Sequence, residues 1–247
     1  MYSLDGRVRF SETTEDGNLS YLGLINYFQD CSSAHSEARG NGPEYVRQTG
    51  HAWMLASWLI EVKRLPRFNE DISVTTWPTG FKGLRAWRNF TICNASGQQL
   101  CRANSSWFMF DLHENRIMHP TEQEIDPYKD DIAEALDMPE LSKRIRPYGE
   151  GRRTEPILVT HAMIDSNHHM NNAQYLSVCL AALEDEGYHV PCLPVRFELQ
   201  FRKAAHRGDH IVPVVYAQET PWVVTIEDSD GAQLCALKIE SIDTNEV

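Results

Sequence analysis

The feature that most constrains this 247-residue chain is that one pattern occurs in it twice. Residues 20–38 place apolar side chains at Tyr21, Leu24, Ile25, Phe28 and Cys31, the i, i+3, i+4, i+7 stripe of a helix with one buried face. Residues 172–185 do the same with Leu176, Cys179, Leu180 and Leu183. A D-x-N turn precedes each segment, Asp16-Gly17-Asn18 in the first case and Asp165-Ser166-Asn167 in the second. Only strand signals follow. They fall at 53–64, 71–79, 85–94 and 99–111 in the first half, and at 194–203, 210–218, 221–227 and 233–242 in the second. Turn formers separate them, among them Asn94-Ala95-Ser96-Gly97 and Asp228-Ser229-Asp230-Gly231. The last hairpins share their wording, Gly97-Gln98-Gln99-Leu100-Cys101 against Gly231-Ala232-Gln233-Leu234-Cys235.

A lone helix with an apolar stripe must bury it, and an antiparallel sheet curling around the helix does so. The expected fold is therefore α+β, a tandem double hotdog in which each half wraps a sheet around a long central helix. The expected domains are 1–125, a linker at 126–153 with two short helical pieces before it ends, and 154–247. The stretch from Ser142 to Arg153 holds Lys143, Arg144, Arg146, Arg152 and Arg153 against the single acid Glu150. It reads either as a solvated linker or as a docking patch for an acidic partner. Arg202, Lys203 and Arg207 form a second basic group.

A net charge of −12 argues against a surface built for nucleic acid or anionic membrane. Position 1 runs straight into alternation at Tyr2, Leu4, Val8 and Phe10, with no charged-then-apolar leader, and no apolar run is long enough to span a bilayer. Cys31, Cys93, Cys101, Cys179, Cys192 and Cys235 are scattered without a C-x-x-C pair, which points to reduced thiols in a cytoplasmic protein.

The segment that carries chemistry is Asp165-Ser166-Asn167-His168-His169-Met170-Asn171-Asn172. It sets a carboxylate, an amide and an imidazole at i, i+2 and i+4, and in an extended strand end these share one side. Asn171 or Asn172 is a suitable N-cap for the next helix, whose N-terminus offers backbone donors. An imidazole moves protons near neutral pH, a carboxylate orients it or acts itself, and amide donors steady a developing oxyanion. The candidate catalytic residues are Asp165, Asn167 and His169. A plain polar turn and cap is the other reading of the same residues. In the first repeat Ser20 is expected where the second has His169, so one active centre per chain is expected.

Asp165-x-Asn167-x-His169-Met170-Asn171-Asn172-x-x-Tyr175 resembles the D-x-N-x-H-V-N-N-x-x-Y signature of acyl-[acyl carrier protein] thioesterases, the plant plastid enzymes and their bacterial relatives. The run Arg88-Asn89-Phe90, the run from Cys101 to Trp107, and Arg116-Ile117-Met118-His119-Pro120 resemble that family's first-domain hairpin. The resemblance covers about 5–245. It implies a first domain that holds the acyl tail and a second that holds the chemistry. It implies hydrolysis of fatty acyl-carrier-protein thioesters, with acyl carrier protein as partner. It gives no reason to expect a cofactor, a metal, nucleic acid or a membrane. One chain with paired hotdogs serves as a monomer or forms a homodimer. One departure stands out. Plant members carry Glu, often followed by Cys, where this chain has Ala204 and Ala205. A Cys–His mechanism has no thiol there. Glu198 and Gln200 share the strand parity but lie too far along it to substitute, which leaves Asp165 as the essential acid or a reduced set.

No H-E-x-x-H, no G-x-S-x-G elbow and no Gly-rich phosphate loop is present. Trp53, Trp58, Trp77, Trp87, Trp107 and Trp222 read as core or as walls of an acyl tunnel. Three rivals remain. One is a non-catalytic acyl-thioester sensor, another is an acyl-CoA thioesterase, and the third is a dehydratase with its acid and His in different halves.

Overall fold

The structure is a computed structural model that describes residues 1–243; residues 244–247, counted in the second half, lie outside it. In chain order the first half gives β1 (Tyr2–Arg7), α1 (Tyr21–Ala38), α2 (Pro43–Thr49), β2 (His51–Val62), β3 (Asp71–Lys82), β4 (Arg85–Asn94), β5 (Gln99–Asp111), β6 (Arg116–Met118) and the short α3 (Glu122–Ile125). The second half gives β7 (Arg152–Arg153), β8 (Ile157–Leu158), α4 (Asn172–Asp185), β9 (Val195–Phe201), β10 (His210–Tyr216), β11 (Trp222–Asp228) and β12 (Gln233–Ser241). The two helices and eight strands expected from the pattern all form, with ends that move by no more than a few residues.

The chain divides into two compact units, one made of Met1–Ser20, Asn26–Trp58 and Leu65–Leu141, the other of Tyr21–Ile25, Leu59–Arg64 and the chain from Ser142 onward. The expected fold, a hotdog in each half, accounts for both. In the first unit the strands run in the order β1-β3-β4-β5-β2, antiparallel in the β1–β3–β4–β5 part. Helix α1 buries Phe28 and Cys31, and the Cys31 thiol contacts the Val74 carbonyl of β3 at 3.3 Å. Phe28, Trp58 and Phe90 pack ring against ring, with Phe90 and Trp58 centroids 4.8 Å apart. Each such buried side chain is worth about 1.5–3 kcal/mol. The Trp58 indole N–H is buried and has no hydrogen-bond partner among the described residues. Trp58 and Trp77 are core, while Trp53, Trp87, Trp107 and Trp222 are half-buried.

The α1 stripe ends in a charge network rather than an apolar residue. His35 is fully buried; Arg88 donates to its Nδ1 at 2.8 Å, and its Nε2 faces Asp131 Oδ2 at 2.8 Å. A donor at Nδ1 leaves no room for a second proton, so the ring is neutral. Burial and then the Arg88 charge depress His35 to about 4, against the pull of Asp131. Asp131 also takes both ends of the Arg39 guanidinium. Asn89 accepts the Leu136 amide at 2.9 Å, and Trp77 donates to the Glu134 carbonyl. Residues 126–136 are therefore anchored to the first unit, although they lie in the span expected to be linker.

In the second unit β9, β12, β11 and β10 follow one another antiparallel, with β7 and β8 on β10. Helix α4 packs on β10, β11 and β12 and buries Tyr175, Leu176, Cys179, Leu180 and Leu183. The segment at 142–145 is clamped from β9. The Glu198 carboxylate accepts Ser142 N at 2.6 Å and Ser142 Oγ at 2.8 Å, and Gln200 Oε1 accepts Ile145 N at 2.8 Å. Ile145 is buried, while Lys143, Arg144 and Arg146 point outward.

Backbone hydrogen bonds fix how the repeats correspond. Thr14 N–H to Asn18 C=O matches Asp165 N–H to His169 C=O, and Leu19 N–H to Pro66 C=O matches Met170 N–H to Ala205 C=O. Arg67 N–H on the Glu70 carboxylate matches His206 N–H on the Asp209 carboxylate. The last hairpins match as their wording indicated, with Asn94 and Asp228 accepting the same pair of turn amides. The expected pairing of Ser20 with His169 is thereby corrected. Asn18 stands at the place of His169, Thr14 at that of Asp165, and Ser20 at that of Asn171. The D-x-N wording of the first half is two residues out of step with the second, because the turn is set by its backbone bonds and not by those letters.

Candidate active site in the second unit

Residues 164–170 are not a strand end. Ile164 and Met170 bridge, and the chain between them turns back, with Asp165 N–H on His169 C=O at 2.9 Å and His168 N–H on Asp165 C=O at 3.1 Å. The expectation that Asp165, Asn167 and His169 line one side of an extended strand is corrected here. His168 takes φ 63, the left-handed conformation that reverses the chain, where the first unit has Gly17 at φ 73. Asp165 closes the turn itself: its Oδ1 accepts Asn167 N–H at 2.8 Å, an Asx turn.

The turn delivers the chain into α4. Asn171 is the N-cap, and its side-chain oxygen accepts Ala173 N–H at 2.8 Å. Its own N–H donates to Met163 C=O, and its C=O accepts Gln174 N–H. Several of the helix-end donors anticipated for an oxyanion are thus engaged within the protein. Asn167 presents an exposed side-chain amide, the group of the three that is available as a donor.

His169 is half-buried, and its ring makes no hydrogen bond among the described residues. Its ring stands edge to face with His206, centroids 4.8 Å apart and planes at 78°. Burial, then the His206 charge, and to a lesser degree His168, hold its pKa below the ordinary imidazole value; Asp165 pulls the other way. Asp165 thus acts on His169 through charge and makes no hydrogen bond to its ring. Tyr175 explains the last letter of the motif. Its buried hydroxyl accepts Ala205 N–H at 2.8 Å, while Ala205 C=O accepts Met170 N–H at 2.8 Å. The loop after β9 is so pinned to the turn before α4.

Glu198 is not a stand-in for the carboxylate missing at Ala204. It is buried and committed to Ser142 and Lys238. All six cysteines are free thiols; Cys31, Cys101, Cys179 and Cys235 are buried, and burial pushes Cys31 up to about 12. Among the described residues no cluster of His, Cys, Asp or Glu has the geometry of a metal site. A cleft of about 450 Å³ lined by Arg7, Arg9, Tyr27, Asp30 and Phe68 belongs to the first unit and includes none of the candidate residues. His206 escaped the sequence reading. The available signal was the spacing His206-Arg207-Gly208-Asp209, which repeats the Arg67-to-Glu70 turn.

The two wrapped helices, and one turn with an unpartnered imidazole leading into the second of them, define a tandem hotdog protein with a single candidate centre among the described residues. Residues 2–142 match the family described as "Acyl-ACP thioesterase N-terminal domain", and residues 150–241 match "Acyl-ACP thioesterase C-terminal domain". The chain belongs to the acyl-ACP thioesterase family. It is 30% identical over 226 residues to a chloroplastic acyl-[acyl-carrier-protein] hydrolase, FATB3, of Cuphea viscosissima, covering 86% of this chain and 53% of that protein. The chain spans about half the length of the curated relatives it matches. An acyl-ACP thioesterase from Bacteroides thetaiotaomicron superposes with a TM-score of 0.83 at 22% identity, over 96% of each chain. The 12:0-ACP thioesterase of Umbellularia californica superposes at 0.79 and 18% identity, over 97% of this chain and 96% of that one. These likenesses establish the fold.

Proposed function

We propose that the protein hydrolyses the thioester of fatty acyl-[acyl carrier protein], releasing free fatty acid, with Asp165, Asn167 and His169 as its working groups. The observation that carries this reading is His169, a half-buried imidazole whose pKa burial and His206 lower and which has no hydrogen-bond partner among the described residues, in the same turn as an exposed amide. In this reading neutral His169 takes a proton from water as the oxygen attacks the thioester carbonyl. Asn167 donates to the oxyanion, and Asp165 favours the imidazolium that forms. The carbon–sulfur bond then breaks and the proton passes from His169 to the departing sulfur. Water and thioester become carboxylic acid and thiol.

Family membership and the relatives' printed activities support the substrate class. They also support a division of labour in which the first unit holds the acyl tail. Free thiols are in keeping with a reducing bacterial cytoplasm, and among the described residues no helix is long and apolar enough to cross a membrane. An acidic carrier would meet an enzyme of net charge −12, so docking needs a local positive surface. Lys143, Arg144 and Arg146 supply one, exposed and without ion pairs among the described residues. Arg152, Arg153 and Lys203 are neutralised by Glu186, Glu227 and Asp228.

Release of free thiol from acyl carrier protein and acyl-coenzyme A thioesters tests the proposal and separates it from a sensor and a dehydratase. His169→Ala and Asn167→Ala are each expected to lower turnover at least about 100-fold, the scale of a lost base or oxyanion donor. Near-native turnover in either removes that residue from the site.

A further inference from the structure

We propose that His206 is the positioning residue of His169, setting its ring orientation and keeping its proton-accepting form, in a chain whose Ala204 supplies no carboxylate for that task. The inference rests on the reading of His169 as the base. A base that moves a proton must be held in one orientation, and metal-free or metal-bound imidazoles are ordinarily held by a neighbour at the ring. The neighbouring ring of His169 is His206, 4.8 Å away and edge to face.

His206 is itself held. Its backbone N–H donates to Asp209 Oδ2 at 2.8 Å, and its ring Nδ1 lies 3.7 Å from the same carboxylate. The preceding residue is tied on both sides, Ala205 N–H to the Tyr175 hydroxyl and Ala205 C=O to Met170 N–H. Both rings therefore stand on one hydrogen-bonded frame. The charged and titratable groups facing His169 are His206 from the loop after β9, and Asp165 and His168 from its own turn. Asp209 lies beside the His206 ring, while burial and the neighbouring imidazoles hold His169 below the ordinary imidazole value. The first unit has Asn18 and Arg67 at the corresponding two positions, where they form an isolated bridge. Imidazole occurs at both positions in one repeat and at neither in the other, as expected of side chains that work as a pair.

The test combines imidazole NMR titration with pH profiles of kcat in the intact chain, for wild type, His206→Ala and His206→Phe. In His206→Ala the His169 midpoint is expected to rise toward the ordinary imidazole value, and the acid limb of kcat to move up with it. At the optimum kcat is expected to fall about 10-fold, the lower end of acid–base effects, with little change in KM. His206→Phe keeps a ring for His169 to pack on but carries no charge. It is expected to recover part of kcat while the midpoint stays raised. An unchanged His169 midpoint in His206→Ala, or a loss confined to KM, overturns the proposal. Thioesters left intact by the wild type would instead overturn the function, and the titration would still decide whether the two rings are coupled.

Discussion

Glu198 offers the sharpest test of what the structure assigns to stability and what to chemistry. It is a buried carboxylate on the strand that leads to Ala204, so it competes for the role of the missing acid. Its bonds say otherwise: Ser142 N at 2.6 Å, Ser142 Oγ at 2.8 Å and Lys238 Nζ at 3.1 Å. Hydrogen bonds to a charged group are worth about 1.5–3 kcal/mol each, and breaking a buried ion pair costs about 3–5 kcal/mol. Lys238 keeps a second partner in Glu240 at 3.4 Å, which softens the loss. Glu198→Gln retains the shape and one acceptor but turns an amide NH₂ toward the Lys238 ammonium, so about 2 kcal/mol of stability is expected to go. At 1.4 kcal/mol per decade this is about 30-fold faster hydrogen exchange at the Ser142 amide, with kcat changed less than about threefold. Native exchange at Ser142 together with a turnover loss of 100-fold or more would refute the assignment and place Glu198 in the chemistry.

The remaining expectations are briefer. His35 is held near 4 in the folded state against an ordinary 6.5, so the unfolded chain binds more protons between these values, and stability falls as pH drops through that window. About 1–2 kcal/mol is expected to be lost by pH 5 on this account, and a His35→Gln variant should show a flatter dependence of stability on pH; equal slopes would refute it. Alkylation of the native protein should label exposed Cys192 first and leave turnover intact, and rapid inactivation matched to one labelled cysteine would sink the water-based mechanism. Charge reversal at Lys143, Arg144 and Arg146 together should raise KM for the carrier-protein substrate about 10-fold and leave a pantetheine thioester unaffected, since rim charges act on encounter. Equal losses on both substrates would return these residues to the fold.

Much of the architecture was legible because it is written in periodicity. The stripe Leu24, Ile25, Phe28, Cys31 and the alternation Val195, Phe197, Leu199 each have one face to bury, and the elements follow. What escaped is what long-range polar contacts decide. His35 continues the α1 stripe as a buried imidazole only because Arg88 and Asp131, from elsewhere in the chain, meet its two nitrogens. Residues 126–136 look like linker in sequence, yet bonds from Asn89, Trp77, Arg39 and His35 fix them to the first unit. The signature Asp165-x-Asn167-x-His169 pointed to a candidate site but not to its geometry. Letters at alternate positions suit a strand equally well, and only the left-handed turn at His168 shows otherwise.

The repeat also explains how one half could carry reactive side chains without changing its frame. In both units the turn before the helix is closed by backbone groups, and the loop beside it by a carboxylate, Glu70 or Asp209, accepting the amide three residues earlier. These bonds hold whatever the side chains at Asn18 and Arg67 or at His169 and His206, so those positions are free to differ. The difference carries a cost in one unit. His168 occupies the left-handed region that Gly17 occupies without penalty, a strain of about 1 kcal/mol. It is tolerated beside the two imidazoles, where Ile164–Met170 pairing and the Asn171 cap over-determine the backbone. The first unit, with glycine at the turn and Asn18 and Arg67 at these positions, keeps the frame without either imidazole.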